Sequence, residues 1–255
     1  PERPQARTVK TTIKLAWAVI FTGMVAGCSG FGWNDTPENT AQPATTKQSF
    51  AKLKLGPGER RFHVDSRDSL ILIYTYRGGR LKKLGHSHVI AARSMEGSAA
   101  VTPNVVGTRL QLRIALHELS VDERPLRTAA GPEFSSKPSP EDVAATRNNM
   151  LSMAGLNAGQ HPHAIISGVI SQRNERGVTV AVRLSLNGAT AHITVAGVSL
   201  TQRENVWRLK GRTTVKQSML GIEPFSALAG ALIVLDEVTI DFDVAARLGI
   251  TQTES

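Results

Sequence analysis

The stretch GVTVAVRLSLNGAT, residues 177–190, decides the fold. Its large apolar side chains fall on every second position. Val178, Val180, Val182, Leu184 and Leu186 share one face, and Thr179, Ala181, Arg183 and Ser185 share the other. Successive side chains of a strand point to opposite faces of a sheet, so this is a strand with one dry face. Asn187-Gly188 then offers two residues that tolerate positive φ, and a second strand-like run follows over 190–202. That combination predicts a tight antiparallel hairpin.

The same period runs outward in both directions. TRLQLRIAL, residues 108–116, sets Leu110, Leu112, Ile114 and Leu116 against Arg109, Gln111, Arg113 and Ala115. Near the end of the chain Val238, Ile240, Phe242 and Val244 oppose Thr239, Asp241 and Asp243. Further strands are predicted at 62–66, 69–77, 87–102, 164–173 and 205–217. One segment differs. SPEDVAATRNNMLSMAGL, residues 139–156, opens with Ser139 as N-cap and Pro140 in the first turn, then Glu141 and Asp142, with Gly155 near its end. Eight or nine strands and one helical insertion around 140–155 predict an all-β domain, a closed barrel or a sandwich. The interior of an eight-stranded barrel is filled by side chains or holds one small ligand. The period alone leaves both open.

The chain carries +9 over 255 residues, but four of the positive charges, Arg3, Arg7, Lys10 and Lys14, precede residue 15. No Lys/Arg block with interleaved aromatics follows, which argues against a nucleic-acid partner. The basic start leads into LAWAVIFTGMVAG and then Cys28, the single cysteine, which allows no internal disulfide. A charged segment, an apolar run and small residues form the layout of a secretory signal. Val25-Ala26-Gly27-Cys28 resembles a bacterial lipobox, which implies cleavage before Cys28 and acylation of its thiol. An uncleaved anchor is the alternative, since residues 15–33 are uncharged and nearly long enough to span a bilayer. Residues 29–58 are rich in Thr, Gln, Asn, Pro and Gly and read as a tether. The expected organisation is a signal peptide over 1–27, a tether over 28–58, a barrel over 59–248 and a tail over 249–255. The expected location is the periplasmic face of a bacterial outer membrane, with the membrane reached through acylated Cys28.

Four motifs then occur in order. They are Arg147-Asn148-Asn149-Met150-Leu151, His161-Pro162-His163-Ala164-Ile165-Ile166-Ser167, the hairpin Leu184 to Thr190, and Gly221-Ile222 followed by a closing run through Asp236-Glu237-Val238. In these motifs the chain from about residue 61 to 248 resembles the YceI family of bacterial periplasmic proteins. Met219-Leu220 depart from it, standing where the family typically has an Asp-Phe pair. The resemblance implies a lipocalin-like antiparallel β-barrel whose lumen takes a long isoprenoid or acyl chain. It implies binding, transport or sequestration without catalysis, and no cofactor beyond a bound polyprenyl or quinone lipid. A fatty amide would suit the same lumen. By phase, the lumen candidates are Leu110, Leu112, Ile114, Val180, Val182, Leu184, Ile240 and Phe242. A homodimer through an exposed strand or the loops stays open.

LGHSHVIAAR, residues 84–93, admits three readings. Gly85-His86-Ser87-His88 starts like the nucleophile turn G-x-S-x-G, but Val89 replaces the second glycine and the flanks are β rather than strand-turn-helix. His86 and His88, on one face of a strand, could ligate Zn²⁺ or Cu²⁺ given a third donor. A periplasmic metal-binding or redox protein using this pair is the alternative function. The same two imidazoles at a barrel mouth could contact a ligand head-group.

Overall fold

The structure, a computed structural model, describes residues 53–249. They lie within one compact unit of the chain, Gln48–Ser255. Cys28, the expected signal peptide, and most of the expected tether and tail fall outside the described residues. The first half of the domain holds β1 (Arg60–Val64), β2 (Leu70–Thr75), β3 (Arg77–Gly78), β4 (His88–Ala92), β5 (Met95–Val101), β6 (Arg109–Ala115) and β7 (Ser120–Val121). Two helices follow, α1 (Arg124–Ala129) and α2 (Pro140–Leu151). The second half holds β8 (His163–Asn174), β9 (Gly177–Leu186), β10 (Ala189–Arg203) and β11 (Val206–Lys216). It ends with β12 (Ser226–Ala227), β13 (Leu232–Val234) and β14 (Glu237–Leu248).

The hydrogen-bonded order β1-β5-β6-β8-β9-β10-β11-β14 returns to β1, closing an eight-stranded antiparallel barrel. β14 is the seam. One of its edges pairs with β11 from Glu237 to Arg247. The other edge is shared: β2 takes Thr239 to Asp243 and β1 takes Ala246 to Leu248. β4 and β7 continue the wall beyond β2. The hairpin that opened the sequence reading is present, with Leu186 opposite Ala189 and positive φ at both Asn187 (52°) and Gly188 (75°). Those values match the right-handed twist of the flanking strands and would strain a β-branched residue.

Two strands expected to be continuous are broken. The 87–102 run divides at Arg93-Ser94, and the 69–77 run stops at Thr75. The first break has a geometric cause: β4 pairs with β2, whereas β5 pairs with β1, so the strand turns where its partner changes. Residues 77–78 join a separate three-stranded sheet, β12-β13-β3, beside the barrel end. Neither that sheet nor α1 was expected from the sequence.

The expected insertion helix is α2. Ser139 Oγ accepts from the Asp142 amide at 3.1 Å, and the Asp142 carboxylate accepts from the Ser139 amide at 3.0 Å. This capping box satisfies orphan donors of the first turn. Val143, Met150 and Leu151 pack against the core. Past the helix the chain doubles back so tightly that a Cβ on Gly155 would lie 2.4 Å from the Met150 carbonyl oxygen. At one end of the barrel the rings of Phe62 and Trp207 sit 6.0 Å apart over Val105, Ile170, Val178 and Val198, and that end is filled.

Candidate ligand-binding cavity

The rest of the interior is a cavity of about 980 Å³, at the upper end of the 300–1,000 Å³ range usual for small-molecule sites. Strand alternation builds it. Ile71, Ile73 and Thr75 face inward from β2, His88, Ile90 and Ala92 from β4, and Ile240, Phe242 and Val244 from β14. Leu110, Leu112, Ile114, Val180, Val182, Leu184, Ile240 and Phe242, the residues picked by phase, all line it. Their alternation partners Arg212–Asp241, Arg208–Asp243 and Arg113–Glu96 pair on the outer surface. Polar groups in the wall are few and mostly uncharged, among them Ser98, Thr108 and Gln111. Among the described lining residues Glu223 is the one Asp, Glu, Lys or Arg.

The mouth opposes the Phe62–Trp207 end. It is framed by Asn187 of the hairpin, the turn Gln217–Leu220, residues 221–226, and Met153 after α2. Met153 (79% exposed) and Phe225 (50%) line the cavity while standing largely in solvent. Phase reasoning missed both, because neither lies on a long strand.

His88 stands in the wall near this mouth. Its Nδ1 lies 2.6 Å from Oδ2 of Asp122, whose carboxylate is wholly buried. Asp122 also accepts from the Val89 amide at 3.0 Å and pairs with buried Arg127. Burial opposes the charge of Asp122, but the hydrogen bonds from His88, the Val89 amide and Arg127 outweigh it and hold the carboxyl below the usual carboxylate range. Arg127 in turn donates to the carbonyls of Ser87 (2.7 Å), Phe134 (2.9 Å) and Ser136 (2.9 Å), tying the α1 region to the start of β4. A carboxylate only accepts, so His88 donates to Asp122 from Nδ1. Nε2 makes no hydrogen bond to the described residues and is left for a ligand. The sequence carries no pattern that singles out Asp122 or Arg127. Pro125, in the first turn of α1, was the available sign that a helix begins there.

The other members of LGHSHV part company. Ser87 is fully buried, donates to Glu133 at 2.7 Å and accepts from the Arg77 amide at 3.2 Å, so its hydroxyl is a structural bridge. His86 precedes β4, so the two-residue strand spacing does not apply to it. Its ring meets that of His88 edge-on at 6.3 Å, its Nε2 lies 4.0 Å from Asp142, and its Nδ1 is buried without a partner. Burial, then the neighbouring His88, push the His86 imidazole below its ordinary range. A metal ion would need a third donor. Among the described residues no group of three His, Cys, Asp or Glu is placed to hold one.

No protein-family model matches the chain, and no curated protein does. Among solved structures, the crystal structure of Burkholderia cenocepacia BcnA superposes with a TM-score of 0.52 at 14% identity, over 71% of this chain and 98% of BcnA. The chain has the BcnA fold. A mutant of the CJ YceI protein, crystallised for nanotechnology applications, aligns with a TM-score of 0.43 at 10% identity, over 63% of this chain and 85% of its own. The all-β, lipocalin-like antiparallel barrel expected from the sequence is the architecture observed.

Proposed function

We propose that this barrel binds, carries or sequesters a long-chain apolar molecule (an isoprenoid, a polyprenyl quinone or a fatty amide) without altering it. The observation that carries the reading is the cavity: about 980 Å³, walled by aliphatic side chains, with Glu223, at the mouth, the one carboxylate among its described lining residues. Each methylene moved from water into such a lumen gains about 0.8 kcal/mol. A tail can therefore be held tightly with few polar contacts. The head-group lies at the mouth beside His88, whose Nε2 is unpaired among the described residues and suits a polar head-group. The YceI resemblance of the sequence supports the same reading. Acylation of Cys28 and residence at the periplasmic face of the outer membrane belong to it, and they rest on the lipobox-like sequence.

A homologous series of fluorescent fatty amides tests the proposal. Affinity should rise roughly three- to fourfold per added methylene, then level off once the tail fills the lumen. Val182→Trp, which places an indole in the cavity, should move that plateau to shorter tails while leaving the unfolding midpoint nearly unchanged. Affinity independent of tail length would sink the reading.

A further inference from the structure

Exposed apolar residues are not spread over this domain. Ten large hydrophobic residues are exposed among the described ones, and seven of them lie on the loops of the mouth end. Leu228 (61% exposed) stands at the tip of the β12–β13 hairpin, where Leu228 (φ 52°) and Ala229 (φ 53°) both adopt the left-handed conformation. A non-glycine residue in that region costs free energy, and here it holds a leucine in water. Leu84 (69% exposed) belongs to the neighbouring turn Lys82–Leu84. That turn is stapled to the hairpin: the Leu81 amide donates to the Ala231 carbonyl at 2.8 Å, and β3 pairs with β13. The Val234 amide donates to the Phe225 carbonyl at 2.9 Å, which joins the small sheet directly to the cavity lip.

The exposed positive charge of this rim is concentrated on the turn 80–83. Arg80, Lys82 and Lys83 are exposed, interleave with Leu81 and Leu84, and form no ion pair with the described residues. The acidic groups nearby are mostly engaged. Glu133 is held by Ser87 and Arg77, and Asp236 accepts from the Ser218 amide at 2.8 Å and its hydroxyl at 2.7 Å. Glu223 remains at the lip.

We infer that this rim is a docking surface for an anionic lipid bilayer, with Leu84 and Leu228 entering the interface and Arg80, Lys82 and Lys83 on the lipid phosphates. Apolar side chains flanked by Lys and Arg are the composition that seats a surface at the headgroup–acyl boundary. The inference rests on the lipid-binding reading and deepens it. With the mouth against the bilayer, an apolar tail passes between membrane and lumen past Phe225 and Met153 without crossing water. A tether to the same membrane would keep the mouth within reach of it.

The test uses the unit Gln48–Ser255, which closes its own barrel and core and lacks the apolar leader and Cys28. It is sedimented with phosphatidylcholine vesicles containing or lacking phosphatidylglycerol. Binding is expected only with the anionic lipid and should weaken as salt rises. The double variant Lys82→Glu/Lys83→Glu should lose roughly tenfold or more in partitioning, and Leu84→Asp/Leu228→Asp should abolish it. None of these residues lines the cavity, so a fluorescent fatty amide should bind all variants equally well without vesicles. Equal sedimentation with neutral vesicles, none with anionic ones, or none of these losses in the variants would overturn the docking surface. If the amide fails to bind the parent protein while anionic vesicles still do, the lumen reading falls and the docking surface stands.

Discussion

At the scale of the residue, one ion cluster carries more than its share. Asp122 joins His88, the Val89 amide and Arg127 inside the protein. Removing one member of a buried pair leaves the other without a counter-charge, which typically costs about 3–5 kcal/mol. Asp122→Asn should therefore lower stability by an amount of that order in urea unfolding. Because the folded state depresses the Asp122 carboxyl, its contribution is present above the ordinary carboxylate range and is lost as pH falls through the folded value. The variant should lack that part of the acid transition, and an unchanged urea midpoint would contradict the assignment. The sequence disclosed His88 through its neighbour in the Gly-His-Ser-His run, but not the residue that orients it. A lone aspartate ahead of a proline has no periodicity, and its partner lies 34 positions away along the chain.

At the scale of the element, what was legible and what was not divides by length. Strands of ten or more residues, such as β9 and β14, alternate long enough for their inner face to be read, and Leu184 and Phe242 fall where the phase puts them. β3, β12 and β13 have two or three residues each, too few for any period, so the small sheet at the mouth was invisible. α2 was legible for a different reason. Its signal lay in its start, Ser139-Pro140-Glu141-Asp142, rather than in an apolar stripe, and the structure answers with a capping box. Ser139→Ala should cost about 1 kcal/mol, read as a shift of the denaturation midpoint, with no loss of barrel circular dichroism. A shift near zero would mean that the box holds little and that packing of Val143 and Met150 holds the helix.

At the scale of the whole molecule, the features fit one another. The outer wall is dressed with Arg–carboxylate pairs, one end is plugged by Phe62 and Trp207, and the opposite end opens among exposed apolar loops. Closing eight strands leaves no free edge around the ring, so the inner stripes meet each other across a lumen rather than across a flat interface. Barrel or sandwich could not be decided from alternation, because both give each strand one dry face. Closure is set by pairings distant in sequence, above all β1 with β14. The same distance is why the sequence showed which side chains turn inward but not that a cavity remains between them.

The measurement that bears most directly on the lumen is native mass spectrometry of the protein produced in bacteria, followed by organic extraction and identification of what is released. A barrel that holds a long apolar chain should fly with an added mass of several hundred daltons, lost on extraction and recovered in the solvent as a single lipid class. A bare protein mass, unchanged after incubation with polyprenyl quinones and fatty amides, would contradict it.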